Sequence, residues 1–284
     1  MLTVVTYVYK QTEGLDLRVD AYLPQTSNGR AILYYHGGAG IFGSRKDVIE
    51  PQCYLDSGYT FLSVDYRLAP ESALPQIVED CRDAYHWVVE NGAPRFGISP
   101  NGVAVAGFSF GGYMAQLMAV SLKPRPFAAL SFSGYGDLMG SMYLTPDPFY
   151  LKTQPHHDSK YLTSQRSDRP LAVPDTKDRL AIYFDTRQTA SWIQLVARLD
   201  PLAEASSIFP YCPIRILTPD ASPTFIFHGT EDTDVPYQQA LLSQAMLRSA
   251  GVPHELFTLQ SGHGISGPGF TEAMQRSLIF LNAH

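Results

Sequence analysis

Short apolar runs that alternate with amphipathic helical patterns constrain this chain more than any other feature. The runs are rich in β-branched and aromatic residues, and a continuous apolar run of this kind is typical of a strand buried on both faces. They lie at 31–35, 60–66, 103–108, 128–133, 224–228 and 256–259. The helical patterns lie at 45–56, 77–90, 111–122, 237–250 and 271–282. This order predicts an α/β fold in which helices flank a mostly parallel central sheet.

Two other segments complete the expected organisation. Residues 4–9 and 15–22 alternate in polarity around Glu13-Gly14, which predicts a hairpin or an edge pair of strands. The stretch 138–222 breaks the pattern, is rich in Pro, Asp, Ser and Thr, and contains one clear helical pattern at 188–199. Because a structureless loop of this length is uncommon inside a compact domain, we expect a cap or lid inserted after the sixth strand. The expected units are a core of 1–137 and 223–284 and a cap of 138–222.

Composition excludes several classes of protein. With 284 residues, 45% of them apolar and 17% charged, the chain is neither disordered nor a coiled coil. A net charge of −6 and the absence of a Lys/Arg run argue against nucleic-acid binding. No stretch approaches the ~20 apolar residues of a membrane span, and the first residues lack a signal-peptide pattern. With three scattered cysteines, we expect a cytoplasmic protein with free thiols, no metal and no cofactor. Its oligomeric state has no sequence signal.

The strongest local motif is Gly107-Phe108-Ser109-Phe110-Gly111. It lies between the apolar run 103–108 and the helical pattern that follows, and G-x-S-x-G in this context predicts a nucleophile elbow. The turn is so tight that a β-carbon on either glycine would clash, and it holds the serine in a strained conformation. Ser109 is therefore the expected nucleophile.

A second glycine-rich loop, His36-Gly37-Gly38-Ala39-Gly40, directly follows the run 31–35. Its backbone amides could approach a ligand closely, and we expect those of Gly38 and Ala39, with that of Phe110, to form an oxyanion hole. A dinucleotide phosphate loop is the rival interpretation, but G-x-G-x-x-G is absent. The expected lining of the substrate pocket is His36, Gly37, Phe108 and Trp192.

A serine nucleophile needs a histidine base. His263, in Ser261-Gly262-His263-Gly264, follows the last predicted strand and should reach the carboxyl edge of the sheet. His228 is expected to form part of the wall beneath the acidic loop, and His86 belongs to a helix. The pair at 156–157 lies in the expected cap without the spacing of a metal site. His263 is therefore the expected base.

The base in turn needs a carboxylate that sets its tautomer. The loop 229–236 offers Glu231, Asp232 and Asp234, and Asp232 occupies the tip of the expected turn. Asp234 is its main rival, and Asp137, after the run 128–133, is the one acid outside this loop that the geometry would allow. The order serine, aspartate, histidine is the order of one fold, the α/β hydrolases.

Five motifs together resemble the α/β-hydrolase superfamily: HGGAG, DYRLAPE, GFSFGG, HGTEDTDVP and SGHG. The HGG loop and DYRLAPE are similar to the hormone-sensitive-lipase-like esterases. The resemblance implies Ser109, Asp232 and His263 as the triad and an ester or thioester of a small to medium acyl group as the substrate. The chain departs from that family in two ways. At the elbow it has Phe108 and Phe110 where the family usually has the Asp and Ala of GDSAGG, and the family's long N-terminal cap is missing before HGGAG. The family's substrate preference is therefore not carried over to this chain.

The chain is also similar to small hydrolases of fungal polyketide pathways, which release acyl chains from carrier-protein thioesters. A carrier protein is acidic and would need a basic docking patch. The cap contains five basic residues that could form one, interspersed with aspartates that favour a solvated loop instead. They are Arg166, Arg169, Lys177, Arg179 and Arg187. A lyase or cyclase with the same residues, and a non-catalytic binding module, are the remaining alternatives.

Overall fold

The computed structural model describes residues 3–156, 169–174, 176–264 and 268–284, without the side chains of 176–178 and 268. Its centre is one eight-stranded sheet with the strand order β1-β2-β4-β3-β5-β6-β7-β8. β1 and β2 form an antiparallel pair, β2 runs antiparallel to β4, and the other neighbouring strands are parallel. The strands are β1 Thr3–Thr12, β2 Leu15–Leu23, β3 Ala31–Tyr35, β4 Thr60–Val64, β5 Val103–Phe108, β6 Ala129–Phe132, β7 Thr224–Gly229 and β8 His254–Leu259. The mostly parallel sheet and its opening hairpin are as predicted.

Helices cover both faces of the sheet. The described helices are α1 Gln52–Asp56, α2 Leu74–Phe96, α3 Phe110–Ser121, α4 Ser141–Leu144, α5 Pro148–Thr153, α6 Thr176–Thr189, α7 Trp192–Ala197, α8 Ala205–Ile208, α9 Gln238–Ser249 and α10 Pro268–Ala283. Successive residues of a strand point to opposite faces, so Leu33 belongs to a core cluster shared with α2, α3 and α9, while Tyr34 belongs to one shared with α1 and α10. Among these helices, none is long and apolar enough to cross a membrane.

The helix predicted at 45–56 is wrong over its first half. Helix α1 begins only at Gln52, and the preceding residues follow an irregular path. The Arg45 amide donates to Asp65 Oδ1 at 2.9 Å, and its guanidinium pairs with both Asp20 and Asp65. These long-range ion pairs hold the segment against β2 and the residue that follows β4.

The single helix predicted at 188–199 is also wrong. Helix α6 ends at Thr189 and α7 begins at Trp192, because Ala190 between them has a φ of +56°. The segment between β6 and β7 contains five α-helices, α4 to α8, in its described part, and all of them except α6 are short. The division of the chain into a core and a cap of 138–222 stays a prediction.

Candidate active site

Ser109 lies on a strained turn between β5 and α3. Its φ of +58° and ψ of −118° are rare for a residue with a side chain. A β-carbon on Gly107 would lie 2.2 Å from the backbone of Gly111, and one on Gly111 would lie 1.9 Å from the carbonyl oxygen of Tyr35. Only glycine fits at either position, so the turn has the geometry that the motif predicts. The Ser109 amide donates to the Phe132 carbonyl at 2.8 Å, which anchors the turn to β6.

The imidazole of His263 lies between Ser109 and Asp232. Its Nε2 is 3.0 Å from Ser109 Oγ, and its Nδ1 is 2.7 Å from Asp232 Oδ2. The ring also packs beside Phe108, with 4.9 Å between the ring centroids. The structure therefore brings together the three residues that the sequence analysis selected, in a hydrogen-bonded chain that could move a proton away from the serine hydroxyl.

Asp232 is fixed in place by the loop after β7. Its Oδ1 accepts hydrogen bonds from the amides of Asp234 and Val235, both at 2.9 Å, which leaves Oδ2 for His263. Burial would raise the pKa of Asp232, but hydrogen bonds from His228 and His263 hold it well below its ordinary value. The carboxylate therefore stays charged. His228 lies beneath the loop, as expected, with Nε2 donating to the Val235 carbonyl at 2.8 Å.

The other two candidate acids lie in different environments. Asp137 binds Arg215 through both carboxylate oxygens, at 3.1 and 3.0 Å, and so has an ion pair of its own. Asp234 also contacts His263, but on the opposite side of the ring from Asp232: its Oδ2 is 3.2 Å from Nε2. In the sequence Asp234 is only a rival of Asp232, and no sequence signal indicates that both acids contact the same imidazole.

The loop that follows β3 lies directly against Ser109. A β-carbon on Gly37 would be 3.4 Å from the Ser109 β-carbon, and Gly38 and Ala39 have φ values of +105° and +56°. No described carbonyl or side chain accepts a hydrogen bond from the amides of Gly38, Ala39 and Phe110. Free amides beside the serine are what an oxyanion hole requires, and that role stays a prediction.

Two of the expected pocket residues donate hydrogen bonds to carbonyls of this loop. His36 is fully buried beneath it, stacks on Tyr66 with 4.1 Å between ring centroids, and donates from Nδ1 to the Gly37 carbonyl. Burial lowers the pKa of His36 to about 4, so its ring is neutral. Above the loop, the indole nitrogen of Trp192 donates to the Ala39 carbonyl at 3.0 Å. Both side chains therefore shape the loop; that either contacts substrate stays a prediction.

The two cap arginines whose partners are described lie neither on a basic docking patch nor in a solvated loop. Arg187 is fully buried, pairs with Asp147 and Asp234, and faces the rings of Tyr143, Tyr150 and Tyr183. The guanidinium of Arg179 forms a bidentate ion pair with Glu71 at 2.7 and 2.8 Å. These charges are neutralised inside the protein, which the sequence spacing does not reveal. Arg166, the Lys177 side chain and His157 lie outside the described residues.

The other candidate histidines, His86 and His156, lie outside the cluster around Ser109. His86 lies on α2, as expected, and His156 Nδ1 is 3.3 Å from Gln188 Oε1. Within the described parts of the chain, no group of three or more His, Cys, Asp and Glu residues is placed to hold a metal ion.

Comparison with known proteins extends over most of the chain. A family model described as an alpha/beta hydrolase fold matches residues 32–265. The chain is 28% identical to the non-reducing polyketide synthase ausA of Aspergillus calidoustus, a match that covers 91% of this chain but only 13% of that protein. The chain thus spans a small part of the length of that curated relative.

Two solved structures show the same architecture. An alpha/beta hydrolase superfamily protein from Enterococcus faecalis has a TM-score of 0.77 at 20% identity, covering 99% of both chains. The propionate-bound esterase Est2 from Thermogutta terrifontis has a TM-score of 0.67 at 20% identity, covering 99% of this chain and 92% of that one. At this level of identity the likeness shows the fold alone.

Proposed function

Since the chain belongs to the alpha/beta hydrolase fold family, we propose that it is a serine hydrolase that cleaves a carboxylic ester or thioester of a small to medium acyl substrate. The observation that carries the proposal is the hydrogen-bonded chain from Ser109 Oγ through His263 to Asp232, with distances of 3.0 and 2.7 Å. Ser109 lies on a strained turn beside three backbone amides that have no described hydrogen-bond acceptor. An activated nucleophile next to free amides is what acyl transfer requires.

The proposed reaction has two halves. Ser109 Oγ attacks the substrate carbonyl carbon while its proton moves to His263 Nε2, and the negative charge on the carbonyl oxygen is held by the loop amides. His263 then gives the proton to the leaving alcohol or thiol, and the carbon–oxygen or carbon–sulfur bond breaks. Water then attacks the acyl carbon of the acyl-enzyme while its proton moves to His263. The bond to Ser109 Oγ breaks, His263 returns the proton to that oxygen, and the acid is released.

We propose that residues 138–222 act as a cap over this site. Two contacts support the proposal, since Trp192 from α7 binds the Ala39 carbonyl and Arg187 from α6 binds the Asp234 carboxylate. The cap residues therefore contact both the oxyanion loop and the loop that carries the acids. They are well placed to select the acyl group.

A thioesterase that releases a polyketide or fatty acyl chain from a carrier protein is the second candidate. It is favoured by the likeness to non-reducing polyketide synthases, which covers 91% of this chain. The internal pairing of Arg179 and Arg187 means that these two arginines do not supply a docking patch for an acidic carrier. A lyase or cyclase using the same residues would differ in its products.

Active-site labelling and product analysis test the proposal together. We expect a fluorophosphonate probe to label the wild-type protein on the peptide that contains Ser109, and Ser109→Ala to remove both the label and activity. The substitution should lower kcat on p-nitrophenyl esters and on acyl thioesters by roughly 10⁴- to 10⁶-fold. Ser121→Ala, on the last turn of the helix α3 that follows Ser109, should retain both the label and activity.

Each outcome separates two interpretations. Equal hydrolysis by Ser109→Ala would show that the serine is not the nucleophile. The absence of a label on the folded wild-type protein would favour a non-catalytic module. If Ser109 is labelled, the ratio of kcat/KM for matched ester and thioester substrates distinguishes an esterase from a thioesterase, and ring closure or carbon–carbon cleavage among the products identifies a cyclase or lyase.

A further inference from the structure

The Nε2 atom of His263 has two oxygen neighbours instead of one. Ser109 Oγ is 3.0 Å away and Asp234 Oδ2 is 3.2 Å away. With Nδ1 donating to Asp232, a neutral ring would direct its Nε2 lone pair at a carboxylate oxygen, and the two would repel. A charged ring carries a proton on Nε2 and would attract the same oxygen. The geometry around Nε2 therefore favours the imidazolium.

Asp234 is held in this position by the segment between β6 and β7. Its Oδ1 accepts hydrogen bonds from Arg187 at 2.8 Å, from Tyr150 at 2.9 Å and from Tyr183. Arg187 also donates to the Asp234 carbonyl at 2.9 Å and pairs with Asp147 through its other terminal nitrogen. With Oδ1 occupied by these donors, Oδ2 is left for the imidazole. The aspartate thus connects the expected cap to the base.

We propose that Asp234 is a positioning residue that stabilises the imidazolium form of His263 through Nε2 and ties that state to the packing of Arg187, Tyr150 and Tyr183. The consequence for catalysis rests on the proposed function, whereas the effect on the histidine itself does not. The chain would thus contact its base with two carboxylates, one on each ring nitrogen.

The charges around the ring support this assignment. Among the described residues, the charged groups that face His263 are Asp232 and Asp234 from the loop after β7 and Arg187 from α6, with His228 behind Asp232 and the Ser109 hydroxyl at Nε2. Burial works to lower the pKa of His263, and the charges of Asp234 and Asp232 raise it above its ordinary value despite the opposing charge of Arg187.

A stabilised imidazolium has two expected effects on rate. Below its pKa, His263 already carries the proton and cannot accept another from Ser109, so Asp234 moves the acidic limb of the pH–rate profile to higher pH. Above that pKa, the same carboxylate stabilises the imidazolium that forms in the transition state, so it raises the plateau. Removal of the Asp234 charge should therefore move the acidic limb to lower pH and reduce the plateau rate.

The test is Asp234→Asn, measured by NMR titration of the His263 ring and by the pH profile of kcat/KM for a p-nitrophenyl ester. Loss of an opposite charge at this distance should lower the His263 pKa by about one unit. The amide NH₂ that replaces Oδ2 also donates to a neutral Nε2, which reinforces the shift. The plateau of kcat/KM should fall by no more than about tenfold, because one pKa unit corresponds to a tenfold change in rate. Asp234→Ala, which removes the charge without adding a donor, should also lower both the His263 pKa and the plateau of kcat/KM.

The matched control is Asp147→Asn. It breaks the other ion pair of Arg187 and retains an N-cap acceptor for α5, while the Asp234 carboxylate stays in place. It should leave the His263 pKa within about 0.3 units of wild type, a difference small against the one-unit shift expected for loss of a nearby charge. An unchanged His263 titration in both folded Asp234 variants, or an equal shift in Asp147→Asn, would overturn the proposal. The NMR titration needs no turnover, so it decides the inference even if Ser109→Ala shows that the proposed function is wrong.

Discussion

Replacing Trp192 by phenylalanine tests whether the segment between β6 and β7 sets the shape of the loop that follows β3, the expected oxyanion hole. The indole donates to the Ala39 carbonyl at 3.0 Å, and no other described group donates to that oxygen. The ring also stacks on Tyr143, with 4.1 Å between centroids and 17° between planes. A phenyl ring can keep the stacking but has no donor.

The magnitude follows from what is lost. The Ala39 carbonyl would become a buried acceptor without a partner, which costs about 1–3 kcal/mol. The phenyl ring also lacks two indole carbons, worth about 1.6 kcal/mol at ~0.8 kcal/mol for each buried carbon. Trp192→Phe should therefore lower the free energy of unfolding by roughly 3–5 kcal/mol. Because the Ala39 amide is loosened but not removed, kcat should fall by about 10- to 100-fold.

Urea unfolding followed by far-UV circular dichroism measures the first effect, and steady-state kinetics on a p-nitrophenyl ester measures the second. Trp87→Phe is the matched control, since the chain has two tryptophans and the indole nitrogen of Trp87 has no described hydrogen-bond acceptor. Trp87 is half-buried, and its substitution should cost about 1 kcal/mol or less and leave kcat unchanged. Equal stability of the two variants, with kcat of Trp192→Phe within twofold of wild type, would refute the reasoning.

Two further predictions concern the acid and the elbow. Asp232→Asn should lower kcat by about 10⁴-fold because the imidazole would lose its correct tautomer, whereas Asp137→Asn should leave kcat unchanged; equal losses would mean that the acids are misassigned. Gly111→Ala should cost more than about 4 kcal/mol in urea unfolding, since the new β-carbon would lie 1.9 Å from the Tyr35 carbonyl oxygen. Gly14→Ala, where φ is +78° and no atom lies within 4 Å, should cost only about 1–2 kcal/mol, and similar values for both would contradict the steric account.

The strands and the elbow could be predicted because their signals are local. A run such as Ala31–Tyr35 is apolar throughout, so any fold that buries it must cover both of its faces. The glycines at 107 and 111 reflect a close backbone approach that no other residue tolerates. These features depend on residue type and on neighbours a few positions away, which the sequence contains in full.

Two of the differences from the sequence-based expectations have one cause, which is pairing between distant residues. Arg45 is drawn to Asp20 and Asp65 and so does not begin a helix, although its surroundings have a helical pattern. From the sequence, Arg187 belongs either to a basic patch or to a solvated loop, but it is buried against Asp147 and Asp234. The sign of a charge can be read from the sequence, but its partner cannot be, because the partner is chosen by the packing of separate elements.

The candidate triad shows the same division. Residue type, local motif and order along the chain were enough to select Ser109, His263 and Asp232. Only the tertiary structure decided that Asp232 contacts Nδ1 and that Asp234 contacts Nε2. The sequence favours Asp232 over Asp234 because of its place at the tip of the turn. It does not show that this turn, which binds Asp232 Oδ1 with two backbone amides, directs the two acids to opposite sides of the ring. The identity of the reactive groups was local information, and the assignment of their roles required the packing of the whole chain.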